Sequence, residues 1–202
     1  MNYIFKLFTV PTIVCLTACS SSGSDGGGTV PSLTADVQGV WVSPCGTDAD
    51  GDKTQIESRF NGSSFVLSDI TYLDTNTCSG ENYISSNVNG TFVVTGGVTE
   101  LANGNAKHMD ILFSNATLTA GSTTHAQLAE QGATLQDVAT NQGIADINNI
   151  PTSPFGAGDT LYSIYRVQGN VLQTGESLGS KNGTTAELRF SILDNNDTYT
   201  RK

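Results

Sequence analysis

Residues 55–72, QIESRFNGSSFVLSDITY, contain the pattern that decides the fold. Two runs rich in β-branched and aromatic residues flank Asn61-Gly62, and both residues of this dipeptide accept the positive φ of a tight type I′ hairpin turn. The same pattern, a β-rich run followed by a turn dipeptide and a second run, recurs along the chain. We predict further hairpins at Asn89-Gly90, Gly169-Asn170 and Asn182-Gly183.

The number of β-rich runs favours an all-β fold. With residues 40–42, 109–113 and 116–119 included, the runs suggest about eight to ten strands. An antiparallel meander of so many strands must hide its edges by closure or behind a second sheet. We therefore expect residues 37–202 to form one domain, an antiparallel meander closed into a barrel. The length of 202 residues agrees with a single domain and a tail.

One segment departs from the β pattern. Residues 123–147 are rich in Ala, Gln and Leu, and the spacing of Leu128, Leu135 and Val138 is compatible with one helix face. Two glycines interrupt the segment, so the sequence predicts one or two short helices. We expect this helical insertion to pack outside the barrel or across one of its ends.

The N-terminus has the features of a secretory signal. Lys6 precedes an apolar run over residues 7–16, which is shorter than a membrane-spanning helix requires. Leu16-Thr17-Ala18-Cys19 resembles the lipobox of bacterial lipoproteins, in which the cysteine becomes the lipidated first residue. This resemblance divides the chain into a signal peptide over residues 1–18, a lipidated cysteine with a flexible Ser/Gly tether over residues 19–36, and the β domain.

The lipoprotein resemblance also implies a location. Acyl chains on Cys19 would anchor the body stably to a membrane, which is then its first partner. An Asp directly after the lipidated cysteine commonly retains such proteins at the inner membrane of Gram-negative cells, and this chain has Ser20 there. We therefore expect attachment to the outer membrane, with the body facing the periplasm or the exterior.

The remaining cysteines suggest a disulfide. Cys15 leaves with the signal and Cys19 takes lipid, so Cys45 and Cys78 are left as one pair in an oxidising compartment. A zinc site is the weaker alternative, because no further ligands stand at zinc spacing. A redox pair would normally be spaced C-x-x-C.

A second resemblance concerns the barrel itself. Gly39-Val40-Trp41 resembles the G-x-W signature that begins a lipocalin barrel, and residues 161–172 with Arg189 resemble the last strands of small lipocalin-like lipoproteins. In lipocalins the tryptophan closes one end of the barrel and an arginine packs on its face. The resemblance implies that Gly39, Trp41 and Arg189 pack together at one end, with Arg166 as the alternative to Arg189.

Asp48, Asp50 and Asp52 alternate in a loop just after Cys45, and such carboxylates can bind calcium. An EF-hand register fails, because a lysine and an arginine occupy the positions that require glycine and glutamate. A solvated acidic turn and a looser calcium loop, with Glu57 as a further ligand, both remain open.

A possible nucleophile lies in Gly175-Glu176-Ser177-Leu178-Gly179, which matches the G-x-S-x-G elbow of α/β-hydrolases. That fold places the histidine after the serine, whereas His108 and His125 both precede Ser177. A hairpin between two β runs is the better interpretation. We therefore predict no catalytic residues, no metal, no cofactor and no enzymatic activity.

Charge and fold together suggest the function. A net charge of −10 with only nine scattered basic residues argues against nucleic acid. The leading hypothesis is a monomeric, non-enzymatic binding module whose barrel holds a small, largely apolar molecule. The alternative is a structural or protein-interaction lipoprotein of the cell envelope with a solid barrel.

Overall fold

The computed structural model describes residues 36–74, 76–141, 143–150 and 155–202, with the side chains of Asn196 and Asp197 left aside. The predicted signal peptide, the lipid site Cys19 and the tether as far as residue 35 therefore lie outside the described residues. All the strands and helices below belong to the described part of the chain.

The chain forms nine strands and two short helices. In chain order they are β1 (Gly39–Val42), β2 (Gly46–Thr47), β3 (Lys53–Asn61), β4 (Ser64–Tyr72), β5 (Asn82–Thr99), β6 (Ala106–Ala120), α1 (Ser122–Glu130), α2 (Leu135–Asn141), β7 (Thr160–Gln168), β8 (Val171–Glu176) and β9 (Ile192–Arg201). The predicted helical insertion is thus confirmed as two helices between β6 and β7.

All the strand pairs are antiparallel, and they close into a ring. The sheet order is β1-β9-β8-β7-β6-β5-β4-β3-β2, and β1 also pairs with β3. In that closing pair Gly39 lies opposite Phe60 and Val42 opposite Glu57. Eight strands complete the ring, while β2 adds a short edge to β3. The expected closed, antiparallel all-β fold is confirmed, because each strand of the ring finds a partner on both sides.

Two of the four predicted hairpins form. Around Asn61-Gly62, β3 and β4 pair in register from Asn61 opposite Ser64. Around Gly169-Asn170, β7 and β8 pair from Gln168 opposite Val171. In both cases local turn chemistry agrees with the tertiary pairing.

The other two hairpins were wrong. Asn89-Gly90 lies inside the 18-residue strand β5, where a register shift in the pairing with β6 falls between these two residues. A Cβ at Gly90 would overlap the carbonyl oxygen of Leu112 on β6, so glycine serves a close approach here and not a turn. Asn182-Gly183 lies in the irregular segment between β8 and β9, and the last strand begins only at Ile192.

The ring encloses the main hydrophobic core. Phe60 and Phe92 meet edge to face with ring centroids 5.0 Å apart, and Phe65 packs on Phe60 at 5.2 Å. The members of this core, each at most 9% exposed, are Val37, Trp41, Phe60, Phe65, Phe92, Val94, Met109, Ile111, Phe113, Tyr165, Leu172 and Tyr199.

The helical insertion covers a second core on β5 and β6. Leu135 and Ala139 of α2 pack with Ile84 of β5 and Leu118 of β6, and the partly buried Val88 contacts both cores. Glu81 holds the start of α1, where its carboxylate accepts hydrogen bonds from Ser122 Oγ at 2.7 Å and from the Thr123 backbone N–H at 2.8 Å. No helix among the described residues is long and apolar enough to cross a membrane.

Candidate functional site

The interior of the ring, where a ligand was expected, is occupied by side chains. Trp41 and Tyr165 are fully buried, and Phe92 and Met109 are each 1% exposed. The indole Nε1–H of Trp41 donates a 2.7 Å hydrogen bond to the Val37 carbonyl, so its single polar atom is satisfied by the protein itself. These contacts describe a packed core of aromatic and aliphatic groups.

The segment that enters β1 closes one end of the ring. Val37 is fully buried, and Asp36 beside it accepts hydrogen bonds from Lys107 Nζ at 2.6 Å and from the Tyr165 hydroxyl at 3.0 Å. Burial and the Asp36 carboxylate raise the pKa of Tyr165, so this phenol stays a hydrogen-bond donor. The Asp36 carbonyl also accepts a 2.7 Å hydrogen bond from Arg201.

Arg201 lies over Trp41, which corrects the prediction for Arg189. The Arg201 Cζ atom is 4.4 Å from the centroid of the Trp41 ring. Register explains the pairing, because Trp41 and Arg201 lie opposite each other on β1 and β9. The sequence analysis placed Arg189 in one of the last strands, whereas Arg189 precedes β9 and Arg201 lies within it. The buried tryptophan therefore lies under an arginine as expected, and Arg201 takes the place predicted for Arg189.

Arg189 instead contacts both β6 and β7. It forms a 2.6 Å ion pair with Asp110 and donates a 2.8 Å hydrogen bond to the Ser163 carbonyl. Its guanidinium also lies 5.4 Å from the centroid of the Tyr162 ring. Burial and the positive charge of Arg189 lower the pKa of His108 and outweigh the nearby Asp110 carboxylate.

The predicted disulfide is present. Cys45 and Cys78 are bonded, with their Cα atoms 5.6 Å apart and a sequence separation of 33. The bond ties the end of β1 to the connection between β4 and β5, and the enclosed segment contains β2, β3 and β4.

The acidic loop beside the disulfide is held by its own hydrogen bonds. Oδ1 of Asp48 accepts the backbone N–H groups of Asp50 at 3.0 Å and Asp52 at 2.9 Å. Burial and the carboxylates of Asp48 and Asp50 raise the pKa of Asp52. Glu57, the proposed extra ligand, instead binds Arg59 at 2.8 Å and Lys202 at 3.2 Å. Within the described ranges no group of three metal-ligating side chains comes together.

The surroundings of Ser177 differ from a nucleophile elbow. β8 ends at Glu176, and the chain then makes a tight turn closed by an antiparallel bridge between Leu178 and Lys181. An elbow requires a helix directly after the serine. His108 lies on β6, where its Nε2 atom is 3.0 Å from the Thr99 hydroxyl of β5 and hydrogen-bonded to it.

A cleft on the outside of the ring was not foreseen from the sequence. It has a volume of about 170 Å³ and is lined by Leu101, Asn103, Arg166, Ile192, Leu193 and Asn195. Arg166 follows the inward-facing Tyr165 on β7 and therefore lies on the opposite face of the sheet. It is only 8% exposed. The one hint of this cleft in the sequence was Arg166, which the lipocalin resemblance gave as the alternative to Arg189 at the barrel end.

Comparison with known proteins leaves this chain without an assigned family. No protein-family model matches it, and no curated protein matches its sequence. The class that the fold defines is a closed antiparallel β ring with a packed interior and a helical insertion.

Proposed function

We propose that this protein is a lipid-anchored, non-enzymatic lipoprotein of the outer membrane whose β domain is a solid scaffold for interaction with other envelope components. The packed interior is the observation that carries the proposal. A small-molecule site inside the ring would need a largely pre-formed cavity of about 300 Å³ or more. Here the centre is filled by large apolar side chains, and the Asp36–Val37 segment lies over one end.

The proposed location rests on two features of the chain. Leu16-Thr17-Ala18-Cys19 resembles a lipobox, and the Cys45–Cys78 bond is of the kind that persists in exported proteins. Lipid on Cys19 would tie the domain to the membrane through the residues that precede Asp36.

The outer face of β5 and β6 supports the interaction role. Val93 is 59% exposed and Leu112 is 43% exposed. The register places Val93 opposite Asp110 and Thr91 opposite Leu112, so the two apolar side chains are diagonal neighbours on one face. These two adjacent side chains offer apolar area that another protein can bury, and burial of apolar area drives most protein–protein association.

Native mass spectrometry of the full chain, purified from the cells that produce it, separates this proposal from a small apolar ligand inside the ring. We expect the mass of a polypeptide that begins at Cys19 and carries covalent acyl chains, with no further molecule bound. A stoichiometric, non-covalently bound lipid that leaves on unfolding would overturn the solid-scaffold proposal. The C19A variant should lose the acyl mass and leave the membrane fraction while keeping its disulfide.

Site-specific photocrosslinking in the producing cells tests the interaction surface. A photoreactive residue at position 93 should form a discrete protein adduct, whereas the same residue at the exposed Glu130, at the end of α1, should not. Equal labelling at both positions, or none at position 93, would refute the assignment of this face.

A further inference from the structure

The outer cleft contains a buried cation, Arg166, whose charge is not neutralised by any acidic side chain that the structure describes. Arg166 is 8% exposed, and the four ion pairs among the described residues involve Arg59, Lys107, Arg189 and Lys202. Burying a guanidinium without an anionic partner is costly, and neutral hydrogen-bond acceptors compensate only in part. A position of this kind is suited to an anion supplied from outside the chain.

The hydrogen bonds of Arg166 fix the guanidinium and leave part of it available. Nε and Nη2 donate to Gln173 Oε1 at 3.2 and 2.7 Å, while Nη1 donates to the backbone and side-chain oxygens of Asn103 at 2.9 and 3.1 Å. A guanidinium has five N–H donors, two of them on Nη2. Within the described part of the chain, Nη2 has Gln173 as its one acceptor, so its second N–H is free to bind a ligand.

The loop between β5 and β6 positions this group. Gly104 has φ of +115°, and its N–H donates to the Leu101 carbonyl at 3.2 Å. The resulting turn places Asn103 within hydrogen-bond distance of Arg166 Nη1, while Gln173 of β8 accepts a hydrogen bond from Nη2. Because two separate elements hold the guanidinium, little side-chain entropy remains to be lost on binding.

The walls of the cleft define the rest of the ligand. Leu101, Ile192 and Leu193 provide apolar surface, and the exposed Asn195 adds an amide at the rim. A volume of about 170 Å³ corresponds to about five or six water-sized groups, at about 30 Å³ each. This space admits a carboxylate with a short alkyl chain and is too small for a long acyl chain.

We propose that the cleft is a binding site for a small organic carboxylate with a short apolar chain, held through its carboxylate by the Arg166 guanidinium. The carboxylate would accept the free Nη2–H and place an anion beside the buried cation, and the alkyl chain would cover Leu193 and Ile192. This site is separate from the ring interior and independent of the lipid anchor.

Titration calorimetry or NMR with sodium butyrate, on the full chain at constant ionic strength, tests the proposal. We expect saturable binding at one site with millimolar affinity, and no saturable binding of butanol, which keeps the alkyl chain and lacks the charge. Inorganic phosphate, which lacks the alkyl chain, should bind at least tenfold more weakly than butyrate. Binding of butanol or phosphate equal to that of butyrate would overturn the assignment of the ligand class.

Two variants locate the site. Arg166→Gln should weaken butyrate binding at least tenfold, because a charge-assisted hydrogen bond is lost. Asn195→Trp fills the cleft from its exposed rim, leaves the guanidinium in place and should also abolish binding. The control Arg59→Gln removes an exposed arginine elsewhere and should bind like the wild type. Absence of butyrate binding to the wild type, or full binding by a folded Asn195→Trp variant, would refute the proposal.

Discussion

Removal of the Cys45–Cys78 bond should destabilise the domain by an amount that its position in the chain sets. The bonded residues are 33 apart, and in the chain-entropy model a loop of this length stabilises the folded state by roughly 4 kcal/mol. Cys45 is exposed and Cys78 is only half-buried, so changing both to alanine removes little packing. The loss should therefore come mainly from greater freedom of the unfolded chain.

Urea unfolding of the C45A/C78A variant measures this loss. With a slope of about 2 kcal/mol/M, the midpoint should fall by about 2 M. The wild type treated with a reducing agent is the matched control and should unfold at the variant's midpoint, whereas the variant should not respond to the reducing agent. A loss of less than about 1 kcal/mol would refute the reasoning, since the closed loop would then restrict the unfolded chain far less than the model requires.

Three further outcomes are expected. Arg201→Met should shift the fluorescence emission of Trp41, the single tryptophan, to longer wavelength and lower the free energy of unfolding by about 1 kcal/mol. Arg189→Met should leave the emission unchanged. Equal shifts in the two variants would contradict the assignment of Arg201 as the residue that covers Trp41. Hydrogen bonds at the start of α1 lower the pKa of Glu81 to about 2, so the ionised carboxylate stabilises the fold fully above about pH 4.5 and this stabilisation is lost as the pH falls toward 2. Glu81→Gln should therefore be less stable than the wild type at pH 6 and equal to it near pH 2. A difference in stability that does not change with pH would contradict this. Gly90→Ala should lower the thermal midpoint by the equivalent of about 1–3 kcal/mol, because its Cβ meets the backbone of β6, and an unchanged midpoint would show that the strands can move apart.

Local chemistry predicted those parts of the fold in which short-range and long-range preferences agree. Asn61-Gly62 and Gly169-Asn170 form the expected hairpins, and the cysteine pair was identified from export context and number alone. At Asn89-Gly90 the same local preference failed. β4 and β6 pair with β5 on both sides of this dipeptide, and their combined hydrogen bonds keep it extended.

In the candidate sites, too, local features were predicted from the sequence and features that depend on long-range pairing were not. A buried tryptophan near one end of the ring was predicted from three residues, whereas the arginine that covers it depended on the register of β1 with β9. The cleft around Arg166 joins residues from the β5–β6 turn, β7 and β9. No local pattern connects such distant segments.

The sequence by itself determined that the chain is antiparallel and all-β, that one or two short helices interrupt it, and that Cys45 pairs with Cys78. Turn preference, hydrophobic pattern and cysteine number are local or compositional properties. Tertiary structure alone decided that β1 joins β3 to β9, that Arg201 covers Trp41, and that the interior is filled. These features depend on which faces of distant strands meet, and a shift of one residue in register moves every side chain of a strand to the opposite face.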